Sequence, residues 1–188
     1  MCWPLRDGPS IHGVMAYDYD TLYGETRNAL GAPTSVFVTF FDAFDRADVR
    51  VLDVGCGQGR DALFIARKGH RVVGVDLSPN GIADMMSVAT QDGLAIEGVV
   101  ADISTYTPDG LFDVVLIDRT LHMLGKAPRL AVLARLLDHV TAGGWVLIAD
   151  EPAHIPDFAA VIAGHSRSWH TAYAKRGYVF VRDEDGLS

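Results

Sequence analysis

The sequence predicts an α/β fold with a doubly wound, mostly parallel sheet and helices on both faces. Short runs rich in Val, Ile and Leu alternate with helical patterns from residue 50 onward. Residues 51–60 join one such run to three glycines on alternate positions, and the next apolar run ends in Asp76. Repeated strand–helix alternation of this kind implies a parallel sheet that is covered on both faces.

The elements follow from the pattern in chain order. Apolar residues at 36, 37, 40, 41 and 44 predict an amphipathic helix after an N-cap at Thr34 or Ser35. We predict strands at 50–54, 71–75, 95–100, 112–117 and 145–149, and helices at 60–68, 79–90 and 156–164, with another helix through Leu130 and Leu137. Segments 168–174 and 178–182 are predicted to pair as an antiparallel hairpin. The sheet then has seven strands, with a late antiparallel strand.

The composition is that of one globular domain. The chain has 188 residues, of which 49% are hydrophobic and 21% charged, and this length allows a substantial core. A net charge of −8 disfavours nucleic acid and anionic membranes as partners because phosphate binding needs clustered cations; solubility alone explains the charge equally well. Cys2 and Cys56 make no disulfide framework. No leader or apolar span of ~20 residues is seen, so we expect a cytoplasmic protein. We further expect it to be a monomer or a homodimer.

The spacing of Gly55, Gly57, Gly59 and Asp76 predicts a nucleoside-binding strand–turn–helix–strand unit. Glycines let the backbone approach a ligand, and a carboxylate at the tip of the second strand can accept both hydroxyls of a ribose. Two simpler explanations stay open: a tight turn without ligand for the glycines, and an acid at a helix N-terminus beside Ser78 for Asp76.

The spacing also distinguishes two kinds of nucleotide cofactor. A dinucleotide fingerprint needs a third glycine where this chain has Arg60. The pattern D-x-G-x-G-x-G over 53–59 instead resembles motif I of the class I S-adenosylmethionine-dependent methyltransferases, whose sheet is Rossmann-like. The run Arg60-Asp61-Ala62-Leu63, with Gly69-His70, resembles the tellurite-resistance and small-thiol branch of that family, although these positions also suit an ordinary helix.

The resemblance implies S-adenosylmethionine as cofactor and gives roles to residues along the chain. The turn, with Asp53, Gly55, Cys56 and Gly57, would hold the methionine part, and Asp76 the ribose. The other implied contacts are Leu77 on the adenine ring, Asp102 on its amino group, the Ile103 amide on a ring nitrogen, and Asp118 on the cofactor's ammonium, chiefly through its carbonyl. Asp102 serves equally well as the N-cap of the following turn.

The acceptor is expected beside the loop after the fourth strand. Arg119 is a candidate to bind an anionic acceptor in bidentate fashion, and His122 a candidate general base or part of the wall around the sulfonium. Residues 1–33 are treated as an N-terminal lid or extension and 34–188 as the methyltransferase domain. In that lid, Tyr17 and Tyr23 are candidates to close over the cofactor, with ordinary surface packing as the alternative.

We therefore predict an enzyme that transfers a methyl group by direct displacement to a small-molecule nucleophile, either a thiol or a tellurite- or selenite-type oxyanion. Two alternatives stay open: an NAD-linked oxidoreductase, and a non-catalytic module that binds S-adenosylmethionine. The sequence has no H-x-x-x-H or C-x-x-C pair for zinc and no P-loop lysine pattern, so no metal is expected.

Overall fold

The structure, a computed structural model, describes residues 18–185. The strands are β1 Arg50–Val54, β2 Arg71–Asp76, β3 Ile96–Val100, β4 Phe112–Asp118, β5 Val140–Ala149, β6 Trp169–Lys175 and β7 Tyr178–Asp183. The helices are α1 Tyr19–Glu25, α2 Ser35–Ala43, α3 Arg60–Arg67, α4 Pro79–Asp92, α5 Lys126–Leu137 and α6 Ile155–Ala163, with a 3-10 turn at Leu121–Met123. Among the helices of residues 18–185, none has the length and apolar character needed to cross a membrane.

The strands form one seven-stranded sheet in the order β3-β2-β1-β4-β5-β7-β6. Strands β1 to β5 pair in parallel, whereas β7 runs antiparallel to both of its neighbours. The predicted mostly parallel sheet with a late antiparallel strand is therefore confirmed. Because the strand order reverses between β1 and β4, the loops that follow these strands diverge and leave a crevice at their carboxyl ends.

Both faces of the sheet are buried. Successive residues of a strand point to opposite faces, so Val51 packs in one cluster with Phe37 and Ile65, and Leu52 in another with Leu133. All five side chains are fully buried. This two-sided burial explains why the central strands are continuous apolar runs in the sequence.

One prediction about the elements was wrong, and one helix was not predicted. Strand β5 begins at Val140 rather than at Trp145, because it continues through a glycine pair at 143–144 where its register with β4 shifts; glycine is tolerated at such irregularities. Helix α1 lies in a segment that shows no sustained periodicity. It has only seven residues and is capped by Asp18, whose carboxylate accepts from Thr21 N–H at 3.0 Å, so its order depends on tertiary contacts.

Candidate functional site

The glycine turn between β1 and α3 leaves no room for a side chain at Gly55 or at Gly57. φ is +77° at Gly55 and +52° at Gly57, in the left-handed region that favours glycine. A Cβ at Gly55 would overlap the Thr120 side chain, and one at Gly57 would lie 2.6 Å from Tyr23 Oη. The Gly55 N–H donates to Val75 O at 2.7 Å, so the turn also closes against the end of β2. These contacts fix the backbone of the turn.

Asp76 stands at the end of β2 and faces this turn. One carboxylate oxygen accepts from Gly57 N–H at 2.8 Å and the other from Ser78 N–H at 2.8 Å. Burial raises the pKa of Asp76, while these backbone donors oppose the shift. Leu77, the next residue, is 69% exposed. The carboxylate is thus fixed in position, and its remaining lone pairs are able to accept from a ligand.

A cavity of about 670 Å³ opens beside the turn, at the carboxyl ends of the parallel strands. Its volume is typical of a small-molecule site. The predicted site residues that line it are Asp53, Gly55, Cys56, Asp76, Leu77, Asp102, Ile103, Asp118, Arg119 and His122. Gly57 stands outside this lining and contacts Asp76 through its N–H. Tyr17 lies outside the described residues.

A carboxylate cluster lies at one end of the cavity and consists of Asp53, Asp61 and Asp118 around Arg60. Arg60 forms ion pairs with Asp61, at 2.6 Å, and with Asp118. Thr34 adds an N–H donor to Asp61 at 3.1 Å and a hydroxyl donor to Asp118 at 2.6 Å. Asp53 is only 3% exposed. Three carboxyl groups around one guanidinium favour an additional cation at this end.

The electrostatics of the cluster support the same conclusion. Burial, followed by the neighbouring Asp61, raises the pKa of Asp53 well above its usual value, and Arg60 opposes the shift. Burial also raises the pKa of Asp61. Asp53 Oδ2 and Asp118 Oδ1 are buried and find no hydrogen-bond partner within residues 18–185. A bound ammonium group would pair with such oxygens and favour their ionised forms.

Arg60 and Asp61 were missed as site residues by the sequence analysis. One signal was available: Asp61 is an acid on a helix face that otherwise buries Ala62, Ile65 and Ala66, and buried acids are rare unless paired. The Asp118 carbonyl, expected to meet the ammonium, lies 3.2 Å from Thr120 Oγ1. The Asp118 carboxylate belongs to the cluster, a contact that the strand pattern did not reveal.

The N-terminal segment of residues 18–29 docks against the glycine turn and α4. Asp20 accepts from Ser78 Oγ at 2.5 Å and from Asn80 N–H at 3.1 Å. Gln58, inside the turn, donates to Thr26 O at 2.8 Å and to Asp84 at 2.7 Å. These contacts of Gln58 and Asp20 were also not foreseen. They hold residues 18–29 next to the cavity.

The side of the cavity where we expect the acceptor is formed by the loop after β4. Arg119 has φ of +53° and a side chain that is 69% exposed. The half-buried His122 lines the cavity, and its Nδ1 is buried without a partner in the described part of the chain. Met123 and Leu30, 51% and 43% exposed, add apolar surface to the lining.

Asp102, which follows β3, both lines the cavity and accepts from Ser104 N–H at 2.8 Å, so its turn-capping role is present.

Comparisons with known proteins assign this chain to a family. A model of the methyltransferase domain matches residues 51–144, half of the chain. The phosphoethanolamine N-methyltransferase of Triticum aestivum is 34% identical over 145 residues, 74% of this chain and 27% of that protein. The probable S-adenosyl-L-methionine-dependent methyltransferase TehB of Haemophilus influenzae is 26% identical over 125 residues, 61% of this chain and 44% of that protein.

A solved structure supports the fold over nearly the whole chain. The crystal structure of a TehB-like SAM-dependent methyltransferase from Corynebacterium glutamicum aligns with a TM-score of 0.68 at 23% identity, covering 88% of this chain and 95% of that chain. This chain spans less than half the length of both curated relatives.

Proposed function

Because this chain belongs to the class I S-adenosylmethionine-dependent methyltransferases, we propose that it transfers a methyl group from S-adenosylmethionine to a small-molecule nucleophile, with a thiol as the preferred acceptor. The observation that carries the proposal is the position of Asp76. Its carboxylate ends β2, lies 2.8 Å from the Gly57 amide nitrogen, and lines the cavity of about 670 Å³. A sugar diol is the natural partner for a fixed carboxylate beside a glycine turn.

The residues around the cavity fit the parts of this cofactor. Asp76 would accept the two ribose hydroxyls, and the exposed Leu77 would pack on adenine, whose edge would meet Asp102 and the Ile103 amide. The methionine end would lie along the turn at Asp53, Gly55, Cys56 and Gly57 and against Asp118. The orphaned oxygens of Asp53 and Asp118 support this orientation because they favour an ammonium group.

The chemistry that the cofactor supplies when bound is a methyl group on a sulfonium, which is already a good leaving group. The remaining task of the protein is to hold the acceptor in line at about 3 to 3.5 Å, which can contribute several kcal/mol of the barrier. Arg119, His122 and the N-terminal residue Tyr17 are the proposed residues of the acceptor side. We expect these residues to position the acceptor and to exclude water rather than to take part in bond making.

His122 bears on whether a general base is used. A catalytic base is normally oriented by a third group, yet Nδ1 of His122 is buried with no partner among the described residues. We therefore favour His122 as part of the wall around the sulfonium. An acceptor that ionises easily is then favoured, and a free thiol with a pKa of ~8.5 has some thiolate near neutral pH.

The charge of the cavity favours a thiol over an oxyanion. The described lining includes seven aspartates and two arginines. Arg60 is paired with two of these aspartates, and Arg119 Nε lies 3.9 Å from Asp118 Oδ1, so both cations already face carboxylates. A thiol enters this environment as the neutral form, at a lower electrostatic cost than tellurite or selenite, and releases its proton to water before the sulfur attacks the methyl group. Leu30 and Met123 supply apolar contact for its carbon skeleton.

We also propose that residues 1–33 act as a lid on a methyltransferase domain of residues 34–188. Tyr23 is 5% exposed and packs against the glycine turn, and Gln58 ties the turn to Thr26 and, through Ala29 N–H at 2.9 Å, to the chain beyond α1. A lid in this position would limit the access of water to the methyl group.

The test measures binding and turnover separately. Calorimetry with S-adenosylmethionine, S-adenosylhomocysteine and NAD identifies the cofactor. Release of S-adenosylhomocysteine is then measured with thiols, selenite, tellurite, phenols and amines, with Asp76→Asn as the matched inactive control. We expect binding of the sulfonium nucleoside and the highest kcat/KM with a thiol. Binding without turnover on any acceptor would identify a non-catalytic module, and binding of NAD alone an oxidoreductase. Faster reaction with tellurite than with any thiol would refute the acceptor assignment.

A further inference from the structure

Asp150, the first residue after β5, lies behind the acceptor side of the cavity. We propose that Asp150, oriented by His154, is a positioning residue that holds the His122 loop, residues 119–124, in the geometry needed to bind the methyl acceptor. This inference rests on the proposed function, because the acceptor side is defined by it. Asp150 does not line the cavity, so it would act through the loop.

Asp150 is a junction between three segments. Its side chain is fully buried. Oδ2 accepts from the His122 backbone N–H at 3.1 Å, while Oδ1 accepts from Glu151 N–H and from His154 Nδ1, both at 2.7 Å. Its own backbone N–H donates to Gly177 O at 2.8 Å, in the turn between β6 and β7. The loop, the start of α6 and the final hairpin thus meet at one residue.

His154 has a defined tautomer in this arrangement. Arg129 Nη1 lies 2.5 Å from His154 Nε2, and a guanidinium can only donate. This contact assigns Nε2 as the acceptor and Nδ1 as the donor to Asp150, with Glu151 Oε2 3.7 Å from Nε2. The ring connects the positive charge of Arg129 to the negative charge of Asp150. This pairing compensates a buried carboxylate that would otherwise be costly.

The hydrogen bond to Asp150 fixes the part of the loop that the other anchors do not reach. Arg119 N–H is held by Ala149 O at 2.8 Å, and the Thr120 hydroxyl by Val54 O at 2.9 Å. Both anchors precede the 3-10 turn. His122, within that turn, is the loop residue that both lines the cavity and bonds to Asp150. A shift of a positioned group by about 1 Å can lower the rate a hundredfold. We therefore expect this bond to affect how the loop receives the acceptor.

The experiment compares Asp150→Asn with two variants of His154. Asn at 154 keeps a donor at the place of Nδ1, whereas Gln keeps an acceptor at the place of Nε2 and loses the donor to Asp150. We expect Asp150→Asn to raise the acceptor KM about tenfold, with the Kd of S-adenosylhomocysteine unchanged within twofold. His154→Gln should share this effect and His154→Asn should not. Asp157→Asn is the matched control, because it removes an exposed ion pair of α6 with Lys126 on α5.

A second readout does not depend on activity. Amide hydrogen exchange at residues 121–124 should accelerate in Asp150→Asn and His154→Gln, while exchange in α3 stays the same. Unchanged exchange in the loop, or an acceptor KM equal to that of the wild type, would overturn the positioning role. Parallel weakening of cofactor binding would also overturn it, because it indicates general loosening. If Asp150→Asn does not fold, the His154 pair decides. A wild-type protein that binds no cofactor refutes the proposed function instead, and the exchange data still test the loop contact.

Discussion

Replacement of Asp76 by Asn is the most direct test of the nucleoside site. The change neutralises the carboxylate with almost no change in volume. The ionised side chain would accept both ribose hydroxyls, and hydrogen bonds to charged groups contribute ~1.5 to 3 kcal/mol each. The amide keeps one acceptor oxygen, so we expect to lose about one such bond and the charge assistance of the other. That amounts to ~3 kcal/mol, or about a hundredfold in Kd.

The assay is calorimetric titration of both proteins with S-adenosylhomocysteine and with its 2′,3′-dideoxy analogue. Asp76→Asn should weaken the first ligand strongly and the second only slightly, because the analogue lacks the hydroxyls. This double-mutant cycle isolates the contact from general damage. Asp92→Asn, which removes an exposed ion pair with Arg67 of 2.7 Å, serves as the matched control. The melting temperature of each variant checks the fold, since Asp76 also accepts from Gly57 and Ser78.

One result would refute the reasoning. If Asp76→Asn binds S-adenosylhomocysteine as tightly as the wild type does, the carboxylate does not hold the ribose. An equal loss of affinity for the diol and for its dideoxy analogue would also contradict the assignment, because the effect would then come from the turn and not from the hydroxyls.

Four further outcomes are expected. Gly57→Ala should lower stability by ~1 to 3 kcal/mol, from positive φ and from crowding by Tyr23, and should weaken cofactor binding, as measured by thermal unfolding and calorimetry. His122→Ala should lower the rate but leave the shape of the pH–rate profile unchanged. Arg60→Gln should destabilise the protein by ~3 kcal/mol, measured by denaturant unfolding, because it leaves buried carboxylates unpaired. Cofactor affinity, measured across a pH series, should fall as the pH drops through the pKa of Asp76, which burial raises above 3.8.

Three of these outcomes have a control or a contradicting result. Gly93→Ala has a similar φ of +64° with nothing within 4 Å among the described residues, so equal damage there would exclude crowding as a cause. Loss of a pH limb in His122→Ala would restore the general base. The pH dependence of the folding stability runs opposite to that of cofactor binding. Because the pKa of Asp76 is raised in the folded protein, its contribution to stability is fully present below pH 3.8 and is lost as the pH rises through the raised pKa. Stability that rises over this window in the wild type but not in Asp76→Asn would contradict the raised pKa.

The elements of the fold could be predicted because each signal is local. Val51 and Leu52 lie in a strand that is buried on both faces, and the resulting apolar run is visible without knowledge of its neighbours. Helix α4 has a Ser78 cap, with Pro79 at its first position, and ends at Gly93, all readable from the chain. The predicted start of β5 was wrong because the glycine pair at 143–144 indicates a turn unless the neighbouring strands are known.

The candidate site divides in the same way. Asp53, Asp76 and Asp102 each lie within two residues of the last residue of an apolar strand. Parallel strands bring their carboxyl ends to one edge, so the meeting of these residues at the cavity follows from the pattern. Arg60, Asp61 and Thr34 come together with Asp118 from separate segments. No spacing in the sequence specifies those pairs.

The sequence by itself determined the sheet, the family and the residues that we expect on the nucleoside side of the cavity, because period, turn chemistry and strand ends are properties of short segments. Only the tertiary structure decided which charges are paired and which remain orphaned. It decided as well that α1 is helical, that Gln58 holds the N-terminal segment, and that Asp150 reaches the His122 amide. Those contacts depend on the path of distant segments, and the free energy of a buried charge depends on everything packed around it.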